Sequence, residues 1–334
     1  MSGRRLRVGV LGVGHLGAYH ARHYARHPAV ELAGVADRDS ARAAAIGAEL
    51  GVRVFPTAEA LFAAVDALSV AVPAAEHAAC AIPALERGKA VLLEKPMAPS
   101  VVAATAIRDA ARRGGAPLMI GHVERWNGAF RRVAALIQKP RFIEGHRLSS
   151  FVARGLDVDV IFDLMIHDLD LVAALSPAPV RRVIAVGVPV LTATADIANA
   201  RIEFADGLVA NLTASRVSRE RMRKLRLFQE DAYVSIDFAA RAAEVVTRRK
   251  GGEAIPPGAG MAALPALLAS LDHQVIDAKD EPEPLAAEIA AFVAAVRSGR
   301  DPSPSAEEGL RAVRLAEEVV ASMARAVADM AAGG

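Results

Sequence analysis

Three groups of residues in this chain have the types and spacing that chemistry needs: a glycine motif followed by an acid, a lysine beside a glutamate, and an aspartate four residues ahead of a histidine. The first is Gly12-Val13-Gly14-His15-Leu16-Gly17, with Asp37 about 20 residues past its last glycine. Gly12 allows a tight turn, Gly14 lets backbone approach a pyrophosphate, and Gly17 lets a helix pack close to a sheet. The helix that opens there offers unpaired N–H groups to phosphate oxygens. Asp37 would accept hydrogen bonds from an adenosine ribose and repel a 2′-phosphate, which favours NAD. Arg38 beside it could bind that phosphate, so NADP stays as the less favoured cofactor.

The second group is Glu94-Lys95-Pro96. Pro96 withholds an N–H and forces a turn. A lysine there can stabilise a developing oxyanion, or it can be an ordinary charged turn; spacing alone does not choose. The third is Asp163-Leu164-Met165-Ile166-His167-Asp168-Leu169-Asp170. Asp163 and His167 are helical neighbours, so the acid could orient the imidazole and raise its pKa for general-base work. Asp170 could do the same. The competing reading is a helix start with favourable acids and a structural histidine.

The elements that must position these groups follow from hydrophobic periodicity. Apolar runs fall at Leu6–Leu11, Val30–Ala36, Val52–Phe55, Ala67–Val72, Ala90–Leu93 and Leu118–Gly121. Helical patterns lie between them at His15–Arg26, Ser40–Leu50, Thr57–Ala64, Ala75–Arg87 and Ser100–Arg113, with Thr57 and Ser100 as N-caps. Continuous Val/Leu/Ile runs alternating with helices predict a doubly wound parallel sheet, covered on both faces. Ligands bind outside the carboxyl ends of such strands, where Lys95 falls.

After Val123 the rhythm changes. Strands are expected at Arg141–Val152, Val180–Thr192, Ala200–Phe204, Leu208–Ala214, Lys224–Gln229 and Tyr233–Asp237, with tight turns that imply antiparallel pairing. One helix interrupts at Val158–Leu175, Gly251–Gly260 reads as a loop, and two helices close the chain at Leu285–Ser298 and Ser305–Val327. Ser305 and Glu308 form a capping box. The expected division is a dinucleotide-binding domain over 1–122 and a substrate-binding and oligomerisation domain over 123–334.

Composition narrows the function classes. The chain has 334 residues with 40 basic and 38 acidic side chains, a net charge of +2 that gives no footprint for nucleic acid. Cys80 is the single cysteine, which excludes a disulfide framework and a cysteine zinc cage and fits a reducing, cytoplasmic compartment. The most apolar stretch, Leu61 to Ala81, is broken by Asp66, Pro73, Glu76 and His77, so no membrane span is expected. The apolar part of the N-terminus is too short and too glycine-rich for a signal peptide. His20, His23 and His27 share a helix without an acid or cysteine partner, so no metal site is expected there, and Cys80 reads as a buried inert thiol.

In order along the chain, GVGHLGAYHA at Gly12–Ala21, VADRD at Val35–Asp39, VPAAEH at Val72–His77, RGKAVLLEKP at Arg87–Pro96, DLMIHDLDL at Asp163–Leu171 and SAEEGLRAVRLAEEVVAS at Ser305–Ser322 resemble the glucose-fructose oxidoreductase / inositol dehydrogenase / MocA (Gfo/Idh/MocA) family. The resemblance implies a Rossmann domain followed by an α/β domain with a large, open, mostly antiparallel sheet that often forms the interface of a homodimer or homotetramer. It implies hydride transfer between a nicotinamide and a carbinol of a sugar or cyclitol. It also implies Lys95, Asp163 and His167 as the catalytic set. His167 would take the hydroxyl proton, Lys95 would hydrogen-bond the same oxygen, and Asp163 would support His167 or bind a neighbouring hydroxyl. Gly12, Gly14, His15, Leu16, Gly17, Asp37 and Arg38 would hold the cofactor, with Val72, Pro73, His77, Glu94 and Lys95 at its nicotinamide end. This chain has Met165 where many members have glycine, and Val160-Ile161 where they have a glycine pair.

GHVERWN at Gly121–Asn127, with DLMIHDLDL, resembles the branch that oxidises the C3 hydroxyl of UDP-N-acetylglucosamine with NAD, ahead of transamination to a 2,3-diamino sugar for lipid A. Arg125 and Trp126 could contact nicotinamide or sugar; equally, Trp126 could pack between domains. A free cyclitol or aldose is the first alternative substrate, and a redox-neutral NAD-dependent glycosidase the second. Arg216, Arg219, Arg221, Arg223, Lys224 and Arg226 form a basic cluster in which Arg219, Arg221 and Arg223 would share a strand face. That row could bind a diphosphate, although a charged, protected strand edge is the favoured reading.

Overall fold

The computed structural model describes residues 4–151, 159–249, 261 and 264–332. They form two compact units, one of Met1–Trp126 with Glu283–Glu317 and one of Asn127–Pro282 with Glu318–Gly334.

The first unit alternates β1 (Leu6–Leu11), α1 (His15–Arg26), β2 (Val30–Ala36), α2 (Ser40–Leu50), β3 (Arg53–Val54), α3 (Ala58–Ala64), β4 (Ala67–Val70), α4 (His77–Glu86), β5 (Ala90–Glu94), α5 (Val101–Gly114) and β6 (Leu118–Gly121). All strand pairs are parallel, in the order β3-β2-β1-β4-β5-β6. Every residue of β4 and β5 is buried, which is why these strands read as unbroken apolar runs. The order reverses between β1 and β4, the switch point where a crevice forms at the carboxyl ends of the strands. The expected caps are made: Ser100 accepts from the Ala103 N–H and Thr57 from the Ala60 N–H. Ser305 and Glu308 form the reciprocal capping box.

The second unit carries an eight-stranded sheet in the order β14-β13-β12-β11-β7-β10-β9-β8. Its strands are β7 (Phe142–Leu148), β8 (Val180–Val188), β9 (Ile197–Phe204), β10 (Val209–Ser215), β11 (Met222–Phe228), β12 (Ala232–Asp237), β13 (Ala242–Arg248) and β14 (Leu271–Asp277). Only the β7–β10 pair is parallel, so the sheet is mostly antiparallel as expected. Helices α6 (Gly128–Val133), α7 (Ile166–Leu175) and α8 (Leu264–Ser270) belong to this unit. Strands β7, β9, β10 and β12 alternate buried and half-buried residues, one face toward the core.

Several features go beyond the expectations. Beside the expected division at residue 122, contacts group Val123–Trp126 and Glu283–Glu317 with the first unit. The cause is hydrophobic. Ile289, Phe292 and Val293 on α9 (Pro284–Ser298) join the same buried cluster as Val8, Val10 and Tyr24. The final helix, α10 (Ala306–Ala332), contributes its residues up to Glu317 to the first unit and the rest to the second. Strands β13 and β14 were not anticipated. The expected loop at Gly251–Gly260, the first residue of the helix at Val158 and the last residue of the strand at Val152 lie outside the described residues.

Because Phe292 is fully buried within the first unit's core, Phe292→Ala is expected to cost about 3–5 kcal/mol. Chemical denaturation measures it; a change within about 0.5 kcal/mol, as for an exposed position, would contradict this packing.

Candidate active site

The glycine motif sits where β1 turns into α1. Gly12 has a φ of +83°, and a Cβ on it would lie 2.7 Å from the Ala71 carbonyl oxygen. A Cβ on Gly17 would lie 1.8 Å from the Gly12 carbonyl oxygen, so the helix can approach the strand only with hydrogen there. Gly14 differs: a Cβ on it would meet only Arg42 Nη1, at 4.0 Å. Its bareness is not needed for packing and leaves room above the loop.

Asp37, at the end of β2, accepts the Val13 N–H at 2.7 Å on one oxygen and the Asp39 N–H at 2.8 Å on the other. It therefore holds the glycine turn as well as facing the cleft. Arg38 donates to Glu76 Oε1 at 2.6 Å. This pair joins the turn after β2 to the turn before α4.

Leu11, Gly12, Gly14, Leu16, Asp37, Arg38, Thr57, Val72, Pro73 and Glu76 line a cleft of about 460 Å³. Bare glycine backbone, an acid and small residues at a helix N-terminus suit a dinucleotide. Of the expected cofactor residues, His15 is exposed and its ring stacks edge-on against Tyr19. His77 is buried, with its ring nitrogens 2.9 Å from the Pro96 carbonyl and 3.0 Å from the Val72 carbonyl. It ties together the loops after β4 and β5, and burial pushes its imidazole pKa down. Cys80, expected in the core, is half-buried on the cleft wall; burial pushes its thiol pKa up.

Lys95 is half-buried and follows the last residue of β5, as expected. Its N–H donates to Glu94 Oε2 at 3.2 Å. Glu94 itself is buried, and its other oxygen lies 2.8 Å from His20 Nε2. Arg125 pairs with Glu308, the residue that also caps Ser305. Trp126 packs against the first unit's apolar core.

In the second unit, Asp163 lies in a π-helical stretch, Ile161–Met165, and His167 is the second residue of the regular helix α7. Such stretches concentrate at functional sites. Asp159 Oδ1 caps it, accepting the N–H groups of Ile161 and Phe162. From Val160 to Ala173 only Asp163, Leu164 and His167 are half-buried; every other residue is buried. Asp163 and His167 therefore share one accessible face, and the bulky Val160, Ile161 and Met165 point into the core. Sequence reasoning missed Arg147, which grips Asp168 through two hydrogen bonds of 3.0 and 2.8 Å. Both side chains are buried, and the pair fixes the helix bearing His167 onto β7.

Neither reading of the arginine cluster holds: Arg219, Arg221 and Arg223 do not form one strand row, and β11 lies between β12 and β7 rather than at a sheet edge. Arg219 and Arg221 precede β11, which starts at Met222. Arg216 pairs with buried Asp196, Lys224 with Asp237 and Arg226 with Glu144. Lys224 and Arg226 share one face of β11, and all three cations neutralise acids of their own unit.

Residues 6–122 match the model of the oxidoreductase family with an NAD-binding Rossmann fold (GFO/IDH/MocA), and residues 120–235 match the model of a C-terminal domain of that family. A UDP-N-acetylglucosamine 3-dehydrogenase of Acidithiobacillus ferrooxidans is 40% identical over 315 residues, covering 94% of this chain and 96% of the relative. A solved structure of the enzyme so named from that organism superposes with a TM-score of 0.86 at 37% identity, over 96% of this chain and 98% of that one. A scyllo-inositol 2-dehydrogenase of Bacillus subtilis is 28% identical, covering 64% of this chain and 68% of the relative.

The two glycines separate packing from binding. Gly17→Ala is expected to lower the unfolding midpoint by several degrees, because its Cβ collides with the Gly12 carbonyl. Gly14→Ala is expected to leave the midpoint close to wild type while weakening NADH binding about 10-fold or more. Calorimetry and NADH fluorescence titration report the two effects; equal behaviour of the variants would refute the distinction.

Proposed function

The chain belongs to the Gfo/Idh/MocA oxidoreductase family, and from that premise we propose that it oxidises the C3 hydroxyl of UDP-N-acetylglucosamine with NAD. The observation that carries the substrate is the 40% identity, over nearly the whole chain, to a relative bearing that name. The inositol dehydrogenases match at 28–34% identity over 40–64% of the chain.

NAD, when bound, supplies the acceptor for the hydride that leaves C3. His167 takes the hydroxyl proton as general base, and Asp163 on the same helix face orients the imidazole and stabilises its charged form. Lys95 donates a hydrogen bond to the C3 oxygen and stabilises its developing negative charge. The carbinol loses a hydride and a proton and becomes a ketone, the substrate class for a following amino transfer. Gly12, Gly14 and the N-terminus of α1 hold the pyrophosphate, and Asp37 the adenosine ribose. Preference for NAD over NADP is supported by two acids, Asp37 and Glu76, flanking Arg38, which is already paired.

We place the protein in the cytoplasm, where nucleotide sugars and NAD are available. No described helix is long and apolar enough to cross a membrane. Ile184, Val186 and Val188 are exposed along β8, which supports assembly into a homodimer or homotetramer through the large sheet.

The test is NADH formation by purified protein with UDP-N-acetylglucosamine, its uronate, free N-acetylglucosamine, myo-inositol and glucose. A 3-keto-sugar aminotransferase with glutamate is added in parallel to pull an unfavourable equilibrium. NADH with the UDP-sugar alone is expected; NADH with a free polyol would discard the substrate and keep the dehydrogenase. Sugar hydrolysis without net NADH would point to the glycosidase instead. Lys95→Ala and His167→Ala are each expected to cut turnover about 100-fold or more while NADH affinity holds. Undiminished turnover in both would remove these residues from the mechanism.

A further inference from the structure

A buried polar set joins the dinucleotide helix to the lysine-bearing corner: Tyr24 and His20 on α1, Ser69 on β4 and Glu94 at the end of β5. None of the four is more than 8% exposed. The Tyr24 hydroxyl lies 2.8 Å from Ser69 Oγ, and Ser69 Oγ lies 2.9 Å from His20 Nδ1. His20 Nε2 lies 2.8 Å from Glu94 Oε1, and Glu94 Oε2 accepts the Lys95 N–H at 3.2 Å.

Counting protons gives this chain a direction. Among the described residues, Ser69 Oγ is the hydrogen-bond partner of the Tyr24 hydroxyl, so the phenol donates to it. The single Ser69 proton then goes to His20 Nδ1. With Nδ1 accepting, the imidazole proton sits on Nε2 and is donated to Glu94, which as a carboxylate has only acceptors. Running the chain backwards would strand the Tyr24 proton in the core, at a cost of about 1–3 kcal/mol.

We propose that His20 is a positioning residue for the Glu94–Lys95 corner: it is the donor that holds Glu94 as a fixed, buried carboxylate, and that carboxylate in turn holds the Lys95 backbone. The proposal rests on the assignment of Lys95 to catalysis and adds a residue, on the helix that begins at the glycine motif, that acts through another. Burial pushes the Glu94 carboxyl pKa up, but its interactions with His20 first and Lys95 second outweigh it and hold the group below its ordinary value. The other titratable groups facing the set are His23 on α1, His77 on α4 and Glu288 on α9.

The experiment compares His20→Leu, which fills the space without a donor, with His20→Gln, which restores one. Without the donor, burial raises the Glu94 carboxyl. In His20→Leu, kcat/KM is expected to gain an acid limb absent from wild type, recovering as pH rises, and His20→Gln to return the wild-type profile. Stability gives a second reading that needs no substrate. In His20→Leu the folded state holds a proton on Glu94 that the unfolded chain releases, so stability is lost as pH rises above the ordinary carboxyl range. Wild type, with the Glu94 carboxyl held low, keeps its stability over that range, so its Tm advantage over His20→Leu widens from acid to neutral pH. A His20→Leu profile parallel to wild type, with a Tm difference constant in pH, would overturn the proposal and leave His20 a packing residue. Lys95→Ala assayed alongside separates the two levels. Full activity there refutes the catalytic assignment, and with it the positioning role, while the Tm series still reads the His20–Glu94 bond. Lost activity there with an unmoved His20→Leu profile refutes the role of His20 alone.

Discussion

The first unit depends on one close approach. The 1.8 Å between the Gly12 carbonyl oxygen and the place of a Cβ on Gly17 sets how near α1 comes to the sheet. That spacing opens the cleft at the helix N-terminus. It also fixes the helix rotation that buries Gly17, Ala18, His20, Ala21 and Tyr24 on the inner face. The open cleft at the glycine turn and the helix face that reaches Glu94 are two ends of one constraint. A helix standing farther from β1 would lose both.

The second unit solves a different problem, which is how to present two polar groups on a helix that is otherwise buried. It does so by anchoring the helix electrostatically. The Arg147–Asp168 pair is fully desolvated and doubly hydrogen-bonded, and such pairs are costly to break from one side. Asp159 satisfies the N–H groups at the entry to the π-helical stretch. Asp159 and Asp168 thus serve position and Asp170 is buried, while Asp163 shares the accessible face of His167.

How much of this was legible depended on where the information lies. Strands β1, β2 and β6 and helices α1 and α2 fall on their expected limits, because buried parallel strands and amphipathic helices write their periods locally. Strand β13 begins Ala-Ala-Glu, a helix-like opening, and β14 is a largely exposed edge whose pattern carries little apolar signal. The arginine row failed because charge spacing says nothing about which acids the fold brings opposite. The return of α9 to the first core failed for the same reason, since Phe292 and Tyr24 are far apart in sequence and meet only in three dimensions. The glycine motif, Lys95 and the Asp163–His167 pair could be named in advance; their buried supports, His20 with Ser69 and Arg147 with Asp168, rest on tertiary contacts.

The hydrogen bond from the Val13 N–H to Asp37 has a consequence for anyone redesigning the coenzyme preference of this scaffold. The usual first move is to replace the acid at the end of the second strand. Here that acid is also a fastener of the glycine turn, so the exchange would slacken the turn as well. On the proposed ribose contact, discrimination and architecture would be carried by one carboxylate. Glu76, which restrains Arg38 from the opposite lip and makes no bond to the backbone of that turn, would be the position at which to alter preference with the loop left intact.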